Sequence, residues 1–161
     1  MKHFPDIKEL KLLEKNSQKN GSGIVYEELL GKWKFQSVWG KESDEIKNIS
    51  SSILQVLSAR LELKRKNKED QLNFEIRNSI NFGLFNVVFR GSAELKGIRP
   101  LLTFYFEELE ISISNFPIFN KELKKPEEKK MPFFSLVGIS NKDKWMCARG
   151  RGGGLAIWIK S

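Results

Sequence analysis

From Gly31 onward the sequence is a series of short runs in which apolar and polar residues alternate, separated by turn residues. The first run places four residues on one face of a strand: Trp33, Phe35, Ser37 and Trp39. Sequential strands joined by short turns pair as neighbours, and a long antiparallel meander loses its exposed edges when it closes. The pattern therefore predicts a mainly β fold, an antiparallel up-and-down barrel of about eight or nine strands.

The first 30 residues have a helical period instead. Apolar residues at three- and four-residue spacing predict an amphipathic helix from about Ile7 to Gln18, and a second short helical pattern covers residues 24–30. The length of 161 residues, 40% of them hydrophobic, suits one domain with a sizeable core. We expect residues 1–30 to form a helical segment packed on a barrel of residues 31–161.

Two stretches have a less regular pattern. Residues 43–59 begin like a helix and keep helical spacing, but residues 53–66 also have the composition of a strand. A short helix or loop that leads into a strand ending near Lys66 is the favoured interpretation. Residues 115–132 contain three prolines and many charges, so we expect them to form an irregular, solvent-facing excursion.

The inventory of reactive residues is poor. His3 is the only histidine and Cys147 the only cysteine, which excludes a Ser-His-Asp triad, a disulfide and a thiol-based metal cluster. The carboxylates at Glu107, Glu108 and Glu110 fall on opposite faces of a strand and indicate a solvated corner rather than an acid–base pair. We therefore predict no catalytic residues, no metal and no cofactor.

The net charge of +8 raises the question of an anionic partner. Both signs are interleaved in KRKNKED and KELKKPEEKK, which is typical of solvated turns and disfavours a nucleic-acid partner. Contact with an anionic membrane surface would use the same charge. No apolar run approaches the ~20 residues of a membrane span, and charges interrupt any signal-peptide core. The expected location is the cytoplasm.

Two glycine-containing motifs mark the beginning and the end of the β region. In Gly31-Lys32-Trp33 the glycine would let the leading helix approach while the indole plugs the barrel, although a buried Trp after a helix-ending Gly fits equally well. Arg149 or Arg151 could lie across that indole and latch the first strand to the last. Because ARGRGGG occurs once, between two apolar strands, it indicates a hairpin turn rather than a repeated RNA-binding segment.

Some strands are apolar on both faces, notably FGLFNVVF and LLTFYF. One face could be core while residues 1–30 or the excursion cover the other. Alternatively, the interior could hold one apolar ligand, since barrels of about eight strands are either filled or hold a small molecule.

These stretches together resemble the plastid lipid-associated protein family, the fibrillins, in its short cyanobacterial form. The resemblance covers most of residues 25–160 and rests on ELLGKWKFQSVW, NFGLFNVVFRGSAEL, LLTFYFEELEISIS and, best of all, KWMCARGRGGGLAIWIK. It implies a lipocalin-like barrel that associates with lipids, carotenoids or prenylquinones, peripheral to an anionic thylakoid membrane, in a non-enzymatic role.

The resulting hypothesis is a protein that binds or carries an apolar molecule, or that associates structurally with photosynthetic membranes. Six aromatic residues are its expected ligand-lining surfaces: Trp33, Phe35, Trp39, Phe104, Phe106 and Trp145. A lipocalin-like bilin lyase or chromophore chaperone is the alternative, and an RNA-binding module is a more distant one.

Overall fold

A computed structural model of the protein describes residues 4–40 and 60–161. These residues form two α-helices, one short 3-10 helix and nine strands. The helices are α1 (Ile7–Asn20), α2 (Tyr26–Leu29) and the 3-10 helix (Glu128–Lys130). The strands are β1 (Gly31–Trp39), β2 (Arg60–Arg65), β3 (Asn73–Phe82), β4 (Phe85–Lys96), β5 (Leu101–Ile113), β6 (Phe116–Glu122), β7 (Phe133–Ser140), β8 (Trp145–Gly150) and β9 (Leu155–Lys160).

All nine strands belong to one antiparallel sheet that closes into a ring. The ring runs β1-β2-β3-β4-β5-β7-β8-β9 and returns to β1, while β6 pairs with the end of β5 outside it. The predicted mainly β, barrel-like fold with N-terminal helices is thereby confirmed, and the closed ring is called the barrel below. The expected helix start and helical spacing over residues 43–59 lie outside the described residues.

The excursion predicted over residues 115–132 is only partly irregular. Its first part is strand β6, which pairs with β5 from Phe116↔Ile113 to Glu122↔Glu108. Pro117 is tolerated there because β6 lies at the edge of the sheet and is interrupted by a bulge, so the missing N–H leaves no ladder bond unmade. The prediction of an irregular path was therefore wrong for β6, whereas its solvent exposure was predicted correctly.

Helix α1 covers part of the outside of the barrel. It starts at a capping box, in which the Asp6 carboxylate accepts from the Glu9 N–H and the Glu9 carboxylate accepts from the Asp6 N–H. Its apolar stripe packs on β7, β8 and β9 in an outer cluster whose buried members are Leu10, Val137, Trp145, Cys147, Leu155 and Ile157. Because α1 covers the outer face of these strands, that face is apolar as well.

The barrel interior is filled by aromatic rings in its middle. The five largest fully buried side chains are Trp33, Trp158, Phe74, Phe104 and Phe134. The ring centroids of Phe104 and Phe134 lie 5.1 Å apart, and so do those of Phe134 and Trp158. These contacts give the middle of the barrel a core of its own side chains.

The two ends of the barrel differ. At one end, called the closed end, α2 seals the barrel by burying Tyr26 and Leu29 in the interior cluster. The opposite end, called the open end because the described residues place no helix across it, carries the β3–β4 and β5–β6 turns, at Gly83–Leu84 and Ser114–Asn115. These two hairpins extend beyond the start of β2, since β2 pairs with β3 only as far as Leu61↔Asn78.

Candidate functional site

The indole of Trp33 plugs the closed end, as the Gly31-Lys32-Trp33 motif suggested. Trp33 is 1% exposed, and its Nε1–H donates to the Leu29 carbonyl at 2.8 Å. The cation over its ring is Lys160, whose Nζ lies 5.0 Å from the ring centroid and also donates to the Glu28 carbonyl. Gly31 has a φ of +126°, and a Cβ there would lie 3.0 Å from the Lys160 side chain. First strand, last strand and α2 therefore meet at this lysine.

The arginines expected at this position lie elsewhere, so the predicted arginine latch was wrong. Arg149 on β8 donates to both carboxylate oxygens of Glu14 on α1, and this hydrogen bonding raises the pKa of Arg149 above its ordinary value. Arg151 donates to the Lys129 and Met131 carbonyls of the excursion. The reason is register: Lys160 is the residue directly opposite Trp33, whereas both arginines lie towards the other end of the barrel.

The six expected ligand-lining aromatics fall into two groups. Four face the interior: Trp33 and Phe104 are fully buried, and Phe35 and Phe106 are partly buried. The other two, Trp39 and Trp145, pack in the outer cluster against α1. Trp39 faces outward because a bulge shifts the β1–β9 register between Phe35 and Ser37, and a one-residue shift moves the following side chains to the other face.

The interior also contains a polar group that the sequence analysis did not single out. Asn78 on β3 is 0% exposed and lies in the same interior row as Leu61 and Phe89. Neither its amide oxygen nor its amide nitrogen has a hydrogen-bond partner among the described residues, and the same holds for the indole N–H of Trp158. An unpaired buried amide of this kind costs about 1–3 kcal/mol.

The most unusual surface lies at the open end. Six large apolar side chains at the two hairpin ends, here called the tip surface, are between 47% and 74% exposed. They are Phe82, Leu84, Phe85, Phe116, Ile118 and Phe119. The Ser114 N–H donates to the Leu84 carbonyl at 3.0 Å, which joins the two turns into one surface. Exposed apolar groups that cluster in this way mark a contact surface, whereas single ones do not.

The strand register shows how the tip surface is built. Directly opposed residues share a face, and the last row of the four strands is Phe82, Phe85, Ile113 and Phe116. The next row on that face is Ile80, Val87, Ile111 and Phe119. The row behind it contains Asn78 and Phe89, so this apolar face continues the inner face of the barrel.

Charge is absent from both hairpin ends. Residues 78–89 and residues 111–120 contain no Asp, Glu, Lys or Arg, although 30% of the whole chain is charged. This is the signal in the sequence that could have revealed the tip surface. Hydrophobic periodicity alone does not reveal this surface, because apolar runs in a predicted barrel are first assigned to the core.

The thiol and the carboxylates named in the sequence analysis lie in separate environments. In residues 4–40 and 60–161 no three His, Cys, Asp or Glu side chains come together in a way that could hold a metal ion. Burial raises the pKa of the Cys147 thiol well above its ordinary value, which leaves the thiol protonated and unreactive. The carboxylates of Glu108 and Glu110 both lie within 4 Å of Arg90, as in a solvated ion-pair cluster.

Comparison with known proteins yields no relative. No family model matches the chain, and no curated protein or solved structure is similar enough to count as a match. The resemblance to fibrillins stays a prediction. None of the helices in the described residues has the length and apolar composition to cross a membrane.

Proposed function

We propose that this protein is a non-enzymatic, peripheral lipid-associating protein that attaches to a lipid surface through its tip surface. The observation that carries the proposal is the exposure of six large apolar side chains on two hydrogen-bonded hairpin ends. Burying each side chain in an apolar environment is worth about 1.5–3 kcal/mol. Insertion of even part of this set provides a substantial driving force for association.

Two features favour lipid over protein as the partner. A charged side chain in the hydrocarbon region costs about 2.5–3.5 kcal/mol, so insertion requires a surface free of charge, and residues 78–89 and 111–120 meet that requirement. Protein interfaces, in contrast, usually combine their apolar centre with a polar, charged rim. The apolar groups also lie at the projecting ends of two hairpins, a shape suited to entering a soft phase.

The orientation follows from the difference between the two ends of the barrel. The tip surface would face the lipid, and the closed end, with α2 and the Trp33 plug, would face away. The family resemblance points to photosynthetic membranes or lipid bodies as the lipid phase. That localisation belongs to the proposal and rests on the resemblance alone.

Vesicle binding tests the proposal. We expect the protein to co-float with phosphatidylcholine vesicles, and the double variant Phe82→Ser/Phe116→Ser to bind at least about tenfold more weakly, since losing 1.4 kcal/mol of apolar contact already costs that factor. The matched control is Leu72→Ser/Ile98→Ser, which removes two exposed apolar side chains at the closed end. This control should bind like the unmodified protein.

Two results would overturn lipid association. One is failure of the unmodified protein to bind any vesicle. The other is self-association or capture of a soluble partner that Phe82→Ser/Phe116→Ser abolishes while vesicle binding stays unchanged. Self-association, in which a second copy of the chain covers the tip surface, is detected by sedimentation velocity over a range of protein concentrations.

A second candidate function is the binding of a single apolar molecule, such as a lipid, carotenoid or quinone, at the open end. The observation in its favour is the unpaired Asn78 amide behind the apolar rows of the tip surface. A ligand seated on those rows could donate to, or accept from, that amide. The filled middle of the barrel argues against a ligand deeper inside.

A matched pair of probes tests this second candidate. We expect 2-acetylnaphthalene to bind at least about tenfold more tightly than 2-ethylnaphthalene, because only the ketone pairs with the amide, and an unpaired polar group costs 1–3 kcal/mol. Asn78→Leu should remove the difference between the probes. Equal affinities in the unmodified protein, measured by NMR titration of the Asn78 side-chain amide, would contradict ligand recognition by this residue.

A further inference from the structure

A basic groove lies on the outer wall of the barrel, across β1, β2 and β3. It has a volume of about 300 Å³. Its polar lining comprises Lys32, Lys34, Arg60, Glu62, Arg77, Ser79 and Ser161. Four cationic side chains therefore share the groove with one acidic side chain. We call it the wall groove.

The cations of the wall groove are poorly neutralised. Lys34 lies directly opposite Arg60 in the β1–β2 ladder, a like-charge pair that destabilises the sheet. Within the two described stretches of chain, no carboxylate oxygen lies within 4.0 Å of the side-chain nitrogens of Lys32, Lys34 or Arg60.

The one acidic side chain of the groove does not offset this excess. Glu62 is shared between Lys64 at 3.6 Å and Arg77 at 3.8 Å, both longer than a good hydrogen bond. The Nε of Arg77 is buried and has no hydrogen-bond partner in the part of the chain that the structure describes. An anion in the groove would relieve the repulsion and pair with these donors.

The distance along β3 between the wall groove and the tip surface indicates which anion the groove binds. Lys34 and Arg60 are level with Ser79, which lies three residues before Phe82 along β3, or about 10 Å from the tip at the rise of a strand. The headgroup layer on each side of a bilayer is about 5–8 Å thick. When the tips enter the hydrocarbon region, these two cations stand at the level of the lipid phosphates.

We infer that the wall groove binds the phosphate group of an anionic lipid beside the inserted tips. This inference rests on the proposed lipid association and adds a specific headgroup site to it. The planar guanidinium groups of Arg60 and Arg77 suit bidentate contact with phosphate oxygens, and the lysines add point charges. The tip surface supplies attachment to any lipid, and the wall groove supplies the preference for anionic lipid.

The test compares vesicles of phosphatidylcholine alone with vesicles that also contain phosphatidylglycerol. We expect the unmodified protein to bind the anionic vesicles at least about tenfold more tightly, and Lys34→Gln/Arg60→Gln to lose most of that preference, because cations near an anionic surface are attracted to it. Binding of this variant to pure phosphatidylcholine should fall by a smaller factor, because the choline ammonium there neutralises each phosphate. The matched control is Lys142→Gln/Lys144→Gln, which removes two exposed positive charges from the β7–β8 turn at the closed end.

The possible results separate the headgroup site from lipid association itself. If Lys34→Gln/Arg60→Gln keeps the full preference for anionic vesicles, or if the closed-end control loses as much, the headgroup site is refuted while tip insertion stands. If millimolar inorganic phosphate abolishes the preference at constant ionic strength, the groove belongs to free phosphate and the lipid assignment is overturned. Failure of the unmodified protein to bind either vesicle refutes the proposed function instead.

Discussion

Replacing Gly91 by alanine should destabilise the protein by at least about 3 kcal/mol, the upper end of the usual cost of overpacking. Gly91 lies opposite Phe106 in the β4–β5 pair, beside the bulge at Arg90. A Cβ at this position would lie 1.9 Å from the Tyr105 carbonyl oxygen and 2.7 Å from the Phe106 Cα. Both obstacles are backbone atoms, so no rotamer change can relieve the clash and the two strands would have to separate.

Gly152→Ala provides the matched control for this measurement. Gly152 lies in the β8–β9 turn with no atom within 4 Å of the added Cβ, so the free energy of unfolding should change by no more than about 0.5 kcal/mol. Urea denaturation followed by far-UV circular dichroism measures both variants. If the free energy of unfolding of Gly91→Ala differs from that of the unmodified protein by less than about 1 kcal/mol, roughly the error of the extrapolation, β4 and β5 are not held this close in solution.

The fold class followed from local pattern because a closed antiparallel meander is encoded locally. Most strands alternate, most of the turns between β2 and β6 and between β7 and β9 are short, and neighbours in sequence are mostly neighbours in the sheet. The helix α1 and the strand β2 were predictable for the same reason. The strand β6 was not, since Pro117 and a dense run of charges mask a strand whose pairing comes from the adjacent end of β5.

Most of the side-chain positions that could not be predicted from the sequence depend on strand register. A single bulge in β1 places Trp39 on the outer face, although Trp33 and Trp39 would share one face of a regular strand. Strand register also places Lys160 over the Trp33 ring, where Arg149 or Arg151 had been predicted. Bulges and exact pairing depend on how the whole sheet closes, which a window of ten residues does not contain.

The two candidate surfaces differ in how visible they are in the sequence. The tip surface is indicated in the sequence by two charge-free stretches, residues 78–89 and 111–120, within a highly charged chain. The wall groove leaves no such trace, because Lys34 and Arg60 are 26 positions apart and become opposite each other only through the β1–β2 register. Net charge counted along the chain reports an excess of cations but not where that excess is concentrated.

Removing the Trp33 side chain should have the largest effect of any core substitution at the closed end. We expect Trp33→Ala to lower the free energy of unfolding by about 3–5 kcal/mol, since a fully buried indole is lost and a cavity is left. Trp33→Phe keeps an aromatic ring but loses the hydrogen bond to the Leu29 carbonyl, so its cost should be smaller, about 1–2 kcal/mol. Urea denaturation measures both variants.

Lys160→Met separates the cation from the packing at the same site. It preserves most of the side-chain volume but removes both the charge over the Trp33 ring and the Nζ hydrogen bond to the Glu28 carbonyl, and should cost about 1–2 kcal/mol. In the Trp33→Ala background the same substitution should cost less, because the ring that the ammonium contacts is gone, and a double-mutant cycle measures that difference. If the two substitutions prove strictly additive, Lys160 does not interact with the indole, and the connection between α2 and the last strand rests on the Nζ hydrogen bond to the Glu28 carbonyl alone.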